Sequence, residues 1–158
     1  MILKKNSRVE FVTKSAKQTL NLGKRVAASL LGGEILALVG ELGSGKTTFV
    51  QGLAQGLGIK RRVISPTFIL TRRYPLRFKN KDLRIKNFYH LDLYRLEGNM
   101  EREIQNLGLS EIWEKKENII AIEWAEKIRN VVPKNTTWIY FEELDRDSRM
   151  IKVQKENL

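Results

Sequence analysis

The run Gly40-Glu41-Leu42-Gly43-Ser44-Gly45-Lys46-Thr47 constrains this chain more than any other stretch. It fits G-x-x-x-x-G-K-[ST] without a gap, a pattern that works only where a buried strand turns sharply into a helix. Both neighbours are present. Ile35-Leu36-Ala37-Leu38-Val39 is a continuous apolar run, as expected of a central strand covered on both faces. Residues 46–57 read as the helix, ended by Gly58.

A triphosphate presents several negative oxygens close together. Glycines let the backbone curl so that its N–H groups point inward, and the helix start adds unpaired N–H groups and the positive dipole end. Glu41, Leu42, Gly43, Ser44 and Gly45 form the cradle. Lys46 supplies a mobile charge to the β/γ oxygens, Thr47 a hydroxyl to Mg2+, and Thr48 a hydroxyl to the α-phosphate.

Such a loop also needs a carboxylate on a neighbouring strand. Asp92 follows the strand-like run Phe88-Tyr89-His90-Leu91, and Glu123 follows Ile119-Ile120-Ala121-Ile122. The expected division gives Thr47 and one acid to the metal shell and the other acid to water activation or sensing; residue types alone do not assign them. Thr67 is either an ordinary turn threonine or a hydroxyl near the γ-phosphate. His90 reads as a strand residue, packed or solvent-facing, and Trp124 as either a base-stacking ring or a core side chain.

Around these motifs the elements alternate. Residues 9–12 read as an opening strand. Ser15 and Gln18 form a capping box, with the Gln side chain reaching back to the Ser15 N–H. An apolar stripe through Ala16, Leu20, Gly23, Ala27 and Leu30 predicts a helix that stops near Gly32-Gly33. Phe68-Ile69-Leu70 has an extended pattern, and residues 72–86, basic and turn-prone, predict an exposed hairpin or loop. A weakly patterned helix lies around residues 101–107, and Ser110 is positioned to cap another beginning at Glu111. Residues 138–141 and 150–153 read as late strands joined across a turn at 145–148.

The class is therefore α/β: a P-loop NTPase-like three-layer sandwich with a mostly parallel central sheet and antiparallel strands added at one edge. The 158 residues fit a single domain, 1–158, carrying the basic segment at about 72–86. Absence of cysteine excludes disulfides and thiolate metal sites. No stretch is apolar enough for a membrane span or a signal peptide, which makes the cytoplasm the expected compartment. The net charge of +11 favours an anionic partner, nucleic acid first and an acidic protein surface second.

Four segments in order, spanning about residues 8–143, resemble the TsaE (YjeE) family of bacterial tRNA threonylcarbamoyladenosine (t6A) biosynthesis. They are Gly40–Thr48, Ser65-Pro66-Thr67-Phe68, His90-Leu91-Asp92-Leu93-Tyr94-Arg95 and Ile122-Glu123-Trp124-Ala125-Glu126. Glu41 stands where the family usually has Asp, and Ser44 where it has Ala. The basic segment is longer than the family's, with Arg72, Arg73, Arg77, Lys79, Lys81, Arg84 and Lys86.

The resemblance implies an Mg2+-dependent ATPase, slow alone and stimulated by partners, that acts with the TsaB–TsaD complex. That complex modifies adenosine 37 of tRNAs reading codons that begin with A, and the ATPase would reset it between cycles. The tRNA would be met directly or through the complex. The resemblance also implies that Lys46 binds phosphate, Thr47 binds Mg2+, Thr67 lies in a switch-like segment, Asp92 and Glu123 are the functional acids, and Trp124 lies beside the nucleotide. Two other functions fit a P-loop with a basic segment: a nucleoside or small-molecule kinase, and a nucleotide-gated RNA-binding module without significant turnover.

Overall fold

The structure, a computed structural model, describes residues 8–66, 69–76 and 85–155. Seven strands form one sheet: β1 (Arg8–Thr13), β2 (Ile35–Val39), β3 (Thr71–Pro75), β4 (Asn87–Asp92), β5 (Asn118–Glu123), β6 (Thr137–Glu143) and β7 (Arg149–Lys155). Their order is β1-β7-β6-β2-β5-β4-β3. The inner strands β6, β2, β5 and β4 are mutually parallel. Antiparallel strands extend the sheet at both edges, β3 beside β4 and the pair β7-β1 beside β6. The expectation of antiparallel strands at one edge is thus corrected. Thr71–Pro75, with two arginines and a proline, lacks an apolar pattern, and among the described residues it pairs only with β4, as edge strands with charges and proline do.

Side chains alternate across the sheet. Leu36 and Leu38 of β2 and Ile119 and Ala121 of β5 join the core beneath helices α1 (Ala16–Ala27) and α2 (Lys46–Gly56). Ile35 and Ala37, with Ile120 and Ile122, join a second core with α3 (Met100–Asn106), α4 (Leu109–Trp113) and a 3-10 turn at Ala125–Ile128. Burial on both faces explains why these strands read as unbroken apolar runs. Helices on both faces make the three-layer sandwich.

Helix α1 and helix α2 touch backbone to backbone. A Cβ on Gly52 would overlap the Leu20 carbonyl oxygen, and one on Gly23 would overlap the carbonyl oxygen of Phe49. Only glycine at both positions permits this approach, which sets α2 and the loop before it against the sheet.

Several local expectations shift. Ser15 Oγ accepts from Gln18 N at 3.2 Å, but Gln18 Oε1 accepts from Lys14 N at 2.8 Å rather than from Ser15 N. α1 ends at Ala27; Leu30, although buried, lies in a turn closed by Leu30 N donating to Ala27 O at 3.2 Å. Ile69 and Leu70 turn instead of extending, with Leu70 at φ 60°. α4 begins at Leu109 after Gly108, whose φ of 63° supplies the left-handed entry, so Ser110 lies inside the helix. The late hairpin stands as expected, its turn held by Asp145 Oδ1 accepting from Asp147 N and Ser148 N at 2.9 and 2.7 Å. No helix among the described residues is long and apolar enough to cross a membrane.

Candidate nucleotide site

β2 delivers the chain to the loop at the C-terminal edge of the parallel strands, where open α/β sheets place their ligands. Gly45, at φ 102°, turns the backbone into α2, and Phe49 N donates to Gly45 O at 2.9 Å to close the first helical turn. Lys46 follows at once and is only 4% exposed. Its Nζ donates to Gly40 O at 2.5 Å and Glu41 O at 2.9 Å, with Ser44 Oγ at 3.5 Å. The indole of Trp124 lies across it, 4.3 Å from Nζ to the ring centroid. Burial pushes the Lys46 ammonium below its ordinary value, while Glu123, Glu126, Asp92 and Glu41 pull it back up.

The acids come from adjacent strands in a fixed register, Asp92 opposite Glu123 and His90 opposite Ala121. Strand alternation puts His90, Asp92 and Glu123 on the face that Phe88 and Ala121 share with α2. Glu123 is buried and bound at both oxygens. Thr47 Oγ1 lies 3.0 Å from Oε1 and 2.9 Å from Oε2, able to donate to either, and His90 Nε2 lies 2.8 Å from Oε1. His90 is fully buried, so its strand position serves Glu123 directly. Asp92 makes different contacts: Ser65 Oγ donates to Oδ2, and Tyr94 N donates to Oδ1 at 2.9 Å.

Leu42, Gly43, Ser44, Gly45, Lys46, Thr47, Thr48, Asp92, Glu123 and Trp124 all line one pocket of about 250 Å3. Glu41 contributes its carbonyl oxygen to Lys46 while its side chain stays exposed. Thr67 lies outside the described residues. Trp124, at φ 58°, packs on Tyr94 with ring centroids 5.1 Å apart and covers the phosphate-loop lysine. Ser65 and Tyr94 line the same pocket without having been singled out as site residues. A usable signal existed for His90, because its two-residue spacing from Asp92 puts both on one strand face.

The donors gathered here, one hydroxyl and two carboxylates, are hard oxygens of the kind Mg2+ takes beside substrate phosphates. Among the described residues no group of three His, Asp or Glu side chains forms a closed metal cage, and Mg2+ held largely by phosphates and water does not require one.

Residues 13–151 match the family described as "Threonylcarbamoyl adenosine biosynthesis protein TsaE". A relative from Nostoc, titled tRNA threonylcarbamoyladenosine biosynthesis protein TsaE, is 44% identical over 115 residues, covering 71% of this chain and 65% of that protein, just under two thirds of its length. Proteins of the same title from Bacillus subtilis and Rickettsia typhi are 36% and 34% identical, covering 88% and 90% of this chain and 80% and 92% of their own. The crystal structure of Bacillus subtilis YdiB superimposes with a TM-score of 0.74 at 27% identity, over 98% of this chain and 89% of that one. With the family model matched over residues 13–151 and relatives of that title 34–44% identical, the chain belongs to the TsaE family.

Proposed function

We propose that this chain is an Mg2+-dependent ATPase required for threonylcarbamoyladenosine formation in tRNA, acting with the TsaB–TsaD complex to reset it between cycles. The titles of its relatives support the pathway. The observation that carries the ATPase reading is the contact of Thr47 Oγ1 with both oxygens of Glu123. It joins the phosphate loop to a strand-end carboxylate at the point where a phosphate-bound cation belongs.

When bound, Mg2+ supplies charge neutralisation at the β and γ oxygens. Thr47 and Glu123 would hold the metal shell, with His90 Nε2 2.8 Å from Oε1 fixing the Glu123 carboxylate from behind. Lys46 exchanges the Gly40 and Glu41 carbonyls for phosphate oxygens, a short swing for a lysine already aimed at the loop. Asp92 has the second role. It would orient the attacking water, and Ser65 Oγ, which donates to Oδ2, ties it to the chain just before the segment that the family resemblance marks as switch-like. Trp124 shields Lys46 from bulk water. The Ser65–Asp92 contact would differ between ATP and ADP states and so bias the partner complex between two conformations.

The test replaces the chromosomal copy by Lys46→Ala and measures t6A in total tRNA by nucleoside analysis. Loss of the modified nucleoside is expected. Wild-type t6A, with nucleotide binding shown to be lost, would contradict the reading.

A further inference from the structure

The end of the sheet away from the phosphate loop carries a second concave feature. α1 and α2 run parallel, since Gly23 meets Gly52 and Ala27 meets Gly56, so both helices finish at the same edge. α2 has 11 residues, which at 1.5 Å per residue puts its last residue about 15 Å from Lys46. Beyond it the loop from Gly58 to Val63 leaves a cleft of about 800 Å3.

This loop is anchored. Ile59 N donates to Ala54 O at 2.9 Å, Gln51 Nε2 donates to Val63 O at 3.0 Å, and the Ile59 and Val63 side chains enter the core. The Arg61 guanidinium lies 4.6 Å from the centroid of the Tyr74 ring. Lys60, Arg61 and Arg62 are left exposed, facing Lys24 from the last turn of α1. Among the described residues no carboxylate lines the cleft and none of these four cations makes an ion pair.

Cations near helix C-termini often only offset the dipole. Two helix ends supply about −1 elementary charge together, well short of what four cations carry, so the cleft keeps a positive surplus. Its size exceeds what one phosphate fills. Its lining of Lys, Arg and Gln matches side chains that contact phosphodiesters; protein interfaces share the arginine but are depleted in Lys and add Trp or Tyr anchors, and no aromatic residue lines the cleft among the described residues. The apolar members here, Ile59 and Val63, are already buried.

We infer that this cleft binds the phosphodiester backbone of RNA, at a site separate from the nucleotide pocket. The inference goes beyond the ATPase reading and does not depend on it. The test is fluorescence anisotropy of the full chain with an unmodified tRNA transcript over a series of salt concentrations. The variant Lys60→Ala/Arg61→Ala/Arg62→Ala should bind at least tenfold more weakly at low salt. Its slope of log affinity against log salt should be shallower by about 2, since each phosphate contact contributes roughly 0.7–0.9. Lys24→Ala alone should reduce the slope by about 1. ATP affinity of both variants should match wild type, which also reports that the chain is folded.

Unchanged affinity and slope in the triple variant would overturn the proposal, as would no tRNA binding by wild type at low salt. Displacement of tRNA by inorganic phosphate at matched ionic strength would reduce the cleft to a single-anion site. A triple variant that keeps tRNA but no longer associates with TsaB–TsaD would reassign the surface to a protein. Because ATP turnover is read separately with Lys46→Ala, a failure of the ATPase reading leaves this result standing, and the converse holds.

Discussion

Glu123 ties the phosphate-loop helix to the neighbouring strand: it meets both a hydroxyl from α2 and a ring nitrogen from β4. Glu123→Gln keeps the shape and removes the charge, so turnover should fall by roughly 10- to 100-fold, as when a metal site is disturbed, while metal-free nucleotide affinity changes little. Steady-state rates and equilibrium binding measured side by side check this, and a variant with wild-type turnover would remove Glu123 from the metal shell. Lys46 makes the opposite trade, since its charge is held in a buried place for the ligand's sake. Its proton affinity in the folded chain lies below the ordinary 10.5, so between those two values the unfolded chain binds more protons and stability rises with pH. Below that window the full burden of the buried charge is present. Lys46→Met should therefore stabilise the ligand-free protein at neutral pH, with the gain shrinking as pH climbs toward 10.5. Chemical denaturation at several pH values reads it, and a gain that grows with pH would contradict the cause given.

Among the elements, α2 is the one that aims the site, and its seat is the close contact with α1. Gly52→Ala places a methyl group against the Leu20 carbonyl, and overpacking of this kind costs roughly 1–3 kcal/mol. A lowered melting temperature and weaker nucleotide binding are expected together; unchanged stability would mean that the helices separate easily. β2, α2 and the β6–β7 hairpin were legible from sequence because an unbroken apolar run, a glycine turn and an Asp–Ser turn are local signals. The end of α1 was not, because Leu30 continues the helical spacing while being buried from a turn. β3 was legible only as one arm of a hairpin-or-loop reading of residues 72–86, because an edge strand with Arg72, Arg73 and Pro75 has the composition of a loop; residues 77–84 lie outside the described residues. The four motifs named nearly every residue that lines the pocket. The bond from His90 to Glu123 joins residues 33 apart and exists only once β4 pairs with β5.

For the whole molecule, the parallel strands place two functions at opposite ends of one helix pair: the phosphate loop where α2 begins and the basic cleft where α1 and α2 finish. A chain with a net charge of +11 would be drawn to tRNA or to an acidic face of its partners, and such attraction weakens as salt screens it. Stimulation by partners should accordingly decline with ionic strength more steeply than the turnover of the isolated chain; equal declines in both would argue for an uncharged contact. The central claim is that the phosphate loop and Glu123 turn over ATP in the service of a tRNA-modifying assembly. The most direct measurement is the ATP hydrolysis rate of the purified chain alone, with TsaB–TsaD, and with TsaB–TsaD and substrate tRNA, each beside Glu123→Gln. Slow turnover alone, a marked rise with the complex, and loss of both in the variant are expected. A rate that ignores the complex, or that survives in Glu123→Gln, would contradict the central claim.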